Sequence, residues 1–422
     1  MKHPLNIGFV GLTHLGLNYL AAASEKGFKV VAIDLNKEKI NKLKKFHFEY
    51  DEPNLKKMIN KNKKKILFSS DLNNLKYCNI IFVSQDVKAN KKGKGDLKNL
   101  NRLITKIPKF INSKSVLVIL SQVQPGFTRM INFEKSRLYY QVETLVFGRA
   151  LERALKPERI IVGSKDSESK INPLFLKYLN KFNCPIIKMK YESAELTKIS
   201  INILLASSIT TTNMLAEACE KVSADWHEIL PALKLDERIG KKAYLKPGLG
   251  ISGGNIERDI YSIKKVLKSK KQSLSIVTAF QRNSAYMKSW VYRILRKEKI
   301  LFKKNKFNIG ILGLAYKENT NSVKNSPTID LLEKIKNKKI NIYDPKAKLN
   351  FFSKNFIEFS SFNSLVKSSN VIILMTPWPE FSKINKLIKN KKKIILIDPH
   401  RIVNSKLTKN KNITYFTIGK NK

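Results

Sequence analysis

The sequence predicts an α/β protein with two parallel, doubly wound sheets joined by one long helix and a helical region. Three observations carry this. A strand–turn–helix–strand unit at 6–34 returns, in its turn and strands, at 307–345. Short, unbroken apolar runs alternate with helical segments in both halves, as strands buried on both faces require. Between the halves, 191–222 keeps helical apolar spacing and contains neither Gly nor Pro.

In chain order, "NIGFVGLTHLGLNYLAAASEKGFKVVAID" (6–34) reads as strand, tight turn, helix and second strand, with Gly27 ending the helix and Asp34 ending the strand. "KILFS" (65–69), "NIIFVSQD" (79–86) and "SVLVILSQV" (115–123) continue the strand series. Polar Lys198, Asn202 and Thr210 to Asn213 interrupt the apolar pattern of the long helix, as in a spine between domains. A helical region at about 215–265 runs into a glycine-rich loop, and 273–295 reads as one further helix. "FNIGILGLAYK" (307–317) then parallels "LNIGFVGLTHL", and "KINIYDP" (339–345), "NVIILMTPW" (370–378) and "KIILIDP" (393–399) supply further strands. The expected domains are 1–190, 191–300 and 301–422. Two nucleotide-sized folds suggest two nucleotide-like ligands.

Composition narrows the function. At 422 residues with 42% hydrophobic content, the chain can bury two or three cores. Its formal charge of +48 comes from 81 basic and 33 acidic residues. A nucleic-acid binder would need a localised basic stripe with interleaved aromatics. Here Lys is dispersed, in runs such as "NKNKKK" (60–65), "KNKKK" (389–393) and "KNKN" (409–412), which read as solvated edges. Trp226, Trp290 and Trp378 read as core or domain-interface residues. Cys78, Cys184 and Cys219 form no CxxC, which argues against disulfides and structural zinc. The N-terminus shows no signal-peptide pattern, and no apolar run approaches the roughly 18–20 residues a membrane span needs. A soluble, reduced, cytoplasmic protein is expected.

Gly11 and Gly16 stand at the first and last positions of a G-x-G-x-x-G whose middle position is Thr13. Strand–turn–helix context makes this a dinucleotide turn, with pyrophosphate at the helix N-terminus. Asp34 can hydrogen-bond a ribose diol and repel a 2′-phosphate, favouring NAD over NADP. Thr13 counts against the match, because a side chain there crowds the pyrophosphate. Thr13, His14, Leu15, Gln85 and Asp86 complete the expected cofactor set, with His14 structural or cofactor-facing rather than catalytic. In "PGLGISGGNIERD" (247–259), four glycines fall within seven positions, so backbone either takes positive φ or approaches something closely. The loop offers no Cys or His, and Asn255, Arg258 and Asp259 follow the last glycine. Asn255 could also take the left-handed conformation that Asn tolerates.

An ordered set of motifs resembles the UDP-glucose/GDP-mannose dehydrogenase family along nearly the whole chain. They are "VGLTHLGL", "SQDVKANKKGKGDL" (84–97), "SQVQPG" (121–126), "ESAELTKISIN" (192–202), "DERIGKKAYLKPGLGISGGNIERD" (236–259), "GLAYKENTNSVKNSPTIDLL" (313–332), "YDPKA" (343–347) and "WPEF" (378–381). The resemblance implies two Rossmann-like domains, the first for NAD and the last for a UDP-sugar, around a helical dimerisation domain. It implies oxidation of the C6 alcohol of a nucleotide-linked hexose to a carboxylate by two hydride transfers, in a homodimer or higher oligomer. Lys198 and Asn202 match the family's catalytic Lys and Asn, and their i, i+4 spacing alone puts them on one helix face. A buried Lys and Asn there can hold an oxygen that gains negative charge. Asp259 matches an acid that shares a water and accepts a proton, and Glu143 matches a further acid. Glu143 could equally pair with Arg149 or Arg153. Arg238 matches an Arg that reaches substrate in a neighbouring subunit, and Lys317 a substrate-binding Lys. Tyr244, Gly250, Gly253, Arg258 and Lys324 complete the expected substrate set.

Departures are equally clear. The family's nucleophilic Cys falls on Asn255, its Lys on Arg258, a water-positioning Thr on Gln122 and a second Glu on Phe147. Lys324 replaces an Arg, softening a fork into a point charge. An amide nitrogen is no nucleophile, so three outcomes stay open. A bound gem-diol gives the second hydride directly, with Lys198 or Asp259 as base and Asn255 and Gln122 as hydrogen-bond donors. Alternatively, the enzyme stops at an aldehyde or ketone. The third outcome is a binder without turnover.

Overall fold

The computed structural model describes residues 5–87, 95–302, 307–349, 355–389, 391, 393–404, 407 and 410–421. Most of the "VKANKKGKGD" stretch, residues 88–94, therefore lies outside the described residues, as do parts of the two C-terminal lysine runs. The chain divides into two compact units, Met1–Ile201 and Asn202–Lys422.

The first unit holds an eight-stranded sheet. Its strands are β1 (Asn6–Val10), β2 (Lys29–Ile33), β3 (Ile66–Ser69), β4 (Ile80–Val83), β5 (Val116–Ile119), β6 (Leu138–Gln141), β7 (Ile160–Ser164) and β8 (Ile186–Lys190). They lie in the order β3-β2-β1-β4-β5-β6-β7-β8. All described pairs are parallel except β6 with β7. Strand order reverses between β1 and β4, and in open α/β sheets ligands bind outside the carboxyl ends of strands at such a point. β1, β4 and β5 are apolar on both faces because helices cover both, and Phe9, Phe82 and Val118 are completely buried.

The second unit repeats the scheme with β9 (Ile309–Leu312), β10 (Ile340–Tyr343), β11 (Phe356–Glu358), β12 (Val371–Leu374), β13 (Ile394–Ile397) and β14 (Ile413–Phe416). Their order is β11-β10-β9-β12-β13-β14, and the described pairs are all parallel. The three tryptophans are core residues: Trp226, Trp290 and Trp378 all sit in this unit's main apolar cluster.

The boundary between units falls inside the expected long helix, Tyr191–Val222. Its start is fixed in the first unit. The Tyr191 hydroxyl donates to Leu138 O at 2.8 Å, and fully buried Glu195 accepts from the Gly126 and Thr128 amides at 2.6 and 2.8 Å. Burial raises the Glu195 carboxyl, and these hydrogen bonds only partly offset it.

Three expectations need correcting. The helix read over 273–295 is two, Lys271–Lys288 and Trp290–Lys297, parted at Ser289. There the backbone amide and the hydroxyl of Ser289 both donate to Tyr286 O, three residues back, which ends the regular ladder. Secondly, the long helix does contain an 18-residue window of mean hydropathy 1.3, long and apolar enough by length and composition to cross a membrane. Thirdly, Asn255 opens a right-handed helix, Asn255–Val266, and is absent from the positive-φ residues. The left-handed reading of it fails because Gly253, two residues earlier, takes the positive φ (+79°) and Gly254 serves as N-cap.

Candidate active site

In the first unit the expected cofactor residues gather at the carboxyl edge of the sheet, around the β1/β4 reversal. Gly11 turns the chain with φ +92°, and its amide donates to Ile33 O. A Cβ on Gly16 would lie 2.3 Å from Gly11 O and 2.6 Å from Ser84 Oγ, so only glycine lets the helix His14–Glu25 seat against the turn. Thr13 does not obstruct the site as its bulk suggested. Its hydroxyl donates to Ser84 O at 2.9 Å, and the residue is 5% exposed, so its side chain is directed into the fold. Asp34 accepts from the Leu12 amide at 3.0 Å and the Asn36 amide at 3.1 Å. Lys39 pairs with it at 3.0 Å, which tempers the charge expected to repel a 2′-phosphate. Gln85 and Asp86 follow β4 and are half-buried, with the Gln85 amide donating to Asp86 O. Leu15 and His14 are buried, and the His14 ring bonds to Glu52 at 2.8 Å. A glycine-lined turn, a helix N-terminus and an acid at the end of β2 fit NAD.

The same unit holds a buried charge pair. Glu143 follows β6, and Lys198 lies on the long helix. Their Nζ–Oε1 distance is 2.8 Å, with side chains 8% and 12% exposed. Arg149 and Arg153, the other candidate partners of Glu143, instead bond Glu152 and Thr144 O respectively. The second Glu143 oxygen accepts from the Leu145 amide at 3.0 Å. Removing one member of such a pair strands a desolvated charge, a cost of about 3–5 kcal/mol. Gln122 follows β5, half-buried, on the same sheet edge.

In the second unit the residues after the boundary form another group. Asn202, one turn beyond Lys198 on the same helix, donates its amide to Asp259 Oδ2. Asp259 has no exposed surface and lies inside the helix Asn255–Val266, with Arg258 Nε 3.6 Å from its Oδ1. The glycine loop is packed where it needs to be bare. Gly250 has φ +77°, and a Cβ there would lie 2.5 Å from Ser284 O. Gly253 has φ +79° and abuts the Tyr316 ring, while Lys324 Nζ lies against Gly254. Asn255 is exposed at the helix start, where Arg258 Nη2 approaches its Oδ1 at 3.5 Å. Lys317 sits 5.8 Å from the Tyr316 ring centroid. The segment before the loop is stapled to the long helix: Thr212 Oγ1 donates to Tyr244 O, and Gly248 N donates to Asn213 Oδ1. Arg238 is the outlier. Its side chain is 89% exposed and forked onto Asp236 at 3.0 and 2.6 Å.

Two acids escaped the sequence reading. Glu52 and Glu195 are both buried and bind backbone amides. For Glu195 the available signal was scarcity: in a chain so rich in lysine, an acid flanked by Ala194 and Leu196 stands out, whereas Glu52, between Asp51 and Pro53, carried no such signal.

Comparison with known proteins covers the chain. The NAD binding domain of the UDP-glucose/GDP-mannose dehydrogenase family matches residues 5–180, its central domain 192–284 and its UDP binding domain 310–405. UDP-glucose 6-dehydrogenase TuaD of Bacillus subtilis (strain 168) is 26% identical over 390 residues, covering 88% of this chain and 84% of the relative. A UDP-glucose 6-dehydrogenase of Rickettsia felis is 29% identical over 402 residues, covering 89% and 87%. The fold matches a UDP-glucose dehydrogenase from the hyperthermophilic archaeon Pyrobaculum islandicum with a TM-score of 0.86 at 21% identity, covering 100% of this chain and 99% of that one. It also matches a UDP-D-ManNAc dehydrogenase from Pyrococcus horikoshii, TM-score 0.82 at 22% identity, covering 98% and 99%. With an NAD-binding domain, a central domain and a UDP-binding domain in family order, the chain belongs to the UDP-glucose/GDP-mannose dehydrogenase family and is an NAD-dependent nucleotide-sugar dehydrogenase.

Proposed function

We propose that this dehydrogenase oxidises the C6 alcohol of a UDP-hexose, UDP-glucose foremost, to the uronate without a covalent thiol. When bound, NAD accepts one hydride at each of the two oxidations. Lys198 and Asn202 hold the C6 oxygen as it gains negative charge, and Asp259 takes up a proton through water. Glu143 holds the Lys198 ammonium in place. After the first oxidation water adds to the aldehyde carbon, giving a gem-diol with two hydroxyls. Loss of a hydride from carbon and a proton from oxygen then leaves the carboxylic acid. Asn255 and Gln122 donate hydrogen bonds to the diol. Arg258, Lys317 and Lys324 serve the anionic part of the substrate, while Tyr244, Gly250 and Gly253 shape the loop against it.

The observation that carries the thiol-free reading is the state of the three cysteines. Cys78 is 2% exposed, and burial pushes its thiol up to about 12. Burial also raises Cys219 and Cys184. A nucleophilic cysteine needs the opposite, a lowered pKa in an electropositive, accessible setting. By the motif match of the glycine loop, Asn255 falls on the family's thiol position. The same enzyme would work as a homodimer. Leu204, Leu215 and Val222 fall on one stripe of the long helix and are 69%, 40% and 73% exposed in the single chain. Arg238, exposed and held by Asp236, would then serve the neighbouring copy's substrate.

The test is NADH formation with purified protein and UDP-glucose, UDP-galactose, UDP-N-acetyl sugars and GDP-mannose in parallel. Two NADH per UDP-glucose support the proposal. One NADH means an aldehyde or ketone product, and none with any sugar means a binder without turnover. Light scattering gives the mass: a dimer supports the interface, and a monomer at assay concentration rejects it.

A further inference from the structure

His14 and Glu52 do more than fill the core. The His14 ring lies one residue beyond Thr13, inside the dinucleotide turn. It bonds Glu52 Oε2 at 2.8 Å, stacks on Phe147 with ring centroids 4.0 Å apart, and meets the edge of Tyr50 at 5.5 Å. Glu52 in turn accepts from the Gly148 amide at 3.1 Å with Oε2 and from the Ala150 amide at 2.8 Å with Oε1. Its side chain is 1% exposed, and that of His14 is 7% exposed. Gly148 and Ala150 close the loop that starts at Glu143. One carboxylate therefore ties the cofactor turn to the loop that presents Glu143 to Lys198. The loop is also held by Arg153 Nε donating to Thr144 O at 2.7 Å, by Leu145 N donating back to Glu143 and by Arg149 N donating to Val146 O at 2.9 Å.

We propose that His14, Glu52 and Phe147 form a latch that sets the dinucleotide turn and the Glu143 loop as one piece. His14 and Glu52 are positioning residues: they act on cofactor through the turn and on Lys198 through Glu143. A loop held by one buried carboxylate at two amides, and a turn held by the same carboxylate through an imidazole, cannot shift independently while those bonds stand. Opening the latch leaves a buried acid or two amides without partners, so the turn and the loop relax together. The cofactor half of this proposal needs only the NAD site. The Glu143 half rests on the reading of Lys198 and Glu143 as catalytic.

The experiment measures NAD binding by calorimetry without sugar, then kcat and KM with UDP-glucose, for His14→Phe, Glu52→Gln, the double variant and His14→Gln. Phe keeps the stack on Phe147 and loses the bond to Glu52, whereas Gln can donate to Glu52 again. The latch predicts NAD affinity about tenfold weaker for His14→Phe and for Glu52→Gln, no further loss in the double variant, and recovery of most of the affinity in His14→Gln. It predicts kcat falling in the same variants by a similar factor. Unchanged NAD affinity in folded single variants, or losses that simply multiply in the double variant, would overturn it. Should the singles fail to fold, wild-type NAD affinity in a folded Phe147→Ala variant would overturn it and a loss of several-fold would support it. If NAD affinity weakens as predicted while kcat stays at wild type, the latch on the turn stands and the role given to Glu143 fails.

Discussion

At the end of β2 stands Asp34 and at the end of β10 stands Asp344, and both carboxylates grip amides of the turn after the neighbouring strand. Asp34 takes one such amide, Leu12, and Asp344 takes two, Leu314 and Ala315. In both turns a positive-φ glycine, Gly11 or Gly313, donates its amide across to the strand that ends in the acid. The resemblance stops at the far side of each carboxylate. Asp344 also accepts from the Lys346 and Ala347 amides and from Trp378 Nε1, five bonds in all, and is 5% exposed. Asp34 meets only the Asn36 amide and a lysine, and its side chain keeps 14% exposure. One sheet leaves its acid partly accessible, as the proposed ribose contact needs; the other has closed its acid in with an indole. The same fold thus serves a dinucleotide in one unit and must read its nucleotide by other groups in the second. Fold alone does not say which ligand a Rossmann-like sheet takes.

The largest effect expected concerns the first unit's buried charge pair, Lys198 with Glu143. Lys198→Ala should lower kcat by about 10²–10³-fold, the size seen when a preorganised donor to developing charge is removed. Steady-state NADH rates checked against an unchanged far-UV spectrum measure it. Next, Asp344→Ala should destabilise the protein by about 2–4 kcal/mol, since five donors lose their acceptor. Urea unfolding reads this, and NAD affinity should stay within twofold. Asp34→Ala should do the reverse, weakening NAD about tenfold by calorimetry with about 1 kcal/mol or less lost in unfolding. Equal behaviour of the two aspartate variants would erase the distinction drawn here.

The smallest effect is on pH dependence. Burial raises the Glu52 carboxyl, but hydrogen bonds from His14 and from the Gly148 and Ala150 amides outweigh it and hold the group below the usual glutamate value. A lowered carboxylate contributes stability that is full above the unfolded value of about 4.3 and is lost as pH falls through the folded one. Glu52→Gln should therefore flatten the acid side of the stability curve below about pH 4.5 relative to the parent, with little change in slope near neutrality. Thermal melts across pH 3–7 follow it.

The architecture was largely legible because buried parallel strands are short apolar runs and the long helix lacks breakers. β6, β7, β8, β11 and β14 were not read. β8 carries lysines at alternate positions along an exposed edge, and β11 has three residues with an acid at its end, so neither shows the apolar run that marks an inner strand. The break at Ser289 depends on a local side-chain bond invisible to periodicity. Within the site, Lys198, Asn202 and Asp259 were legible through spacing and motif, and Glu143 through motif alone. Its partner was not, because the pairing joins residues 55 positions apart in sequence, which only the fold brings together. Thr13 was misjudged because volume was weighed without direction: a hydroxyl bonded to Ser84 O leaves the turn open.

The thiol-free oxidation is tested most directly by the NADH yield per UDP-glucose in a protein with Cys78, Cys184 and Cys219 all replaced by Ala. On the proposed reading none of these thiols, two buried and Cys184 half-buried, takes part in the chemistry, so a folded variant should still yield two NADH per sugar. A folded variant that stops at one, while the parent reaches two, would mean that a cysteine captures the aldehyde after all.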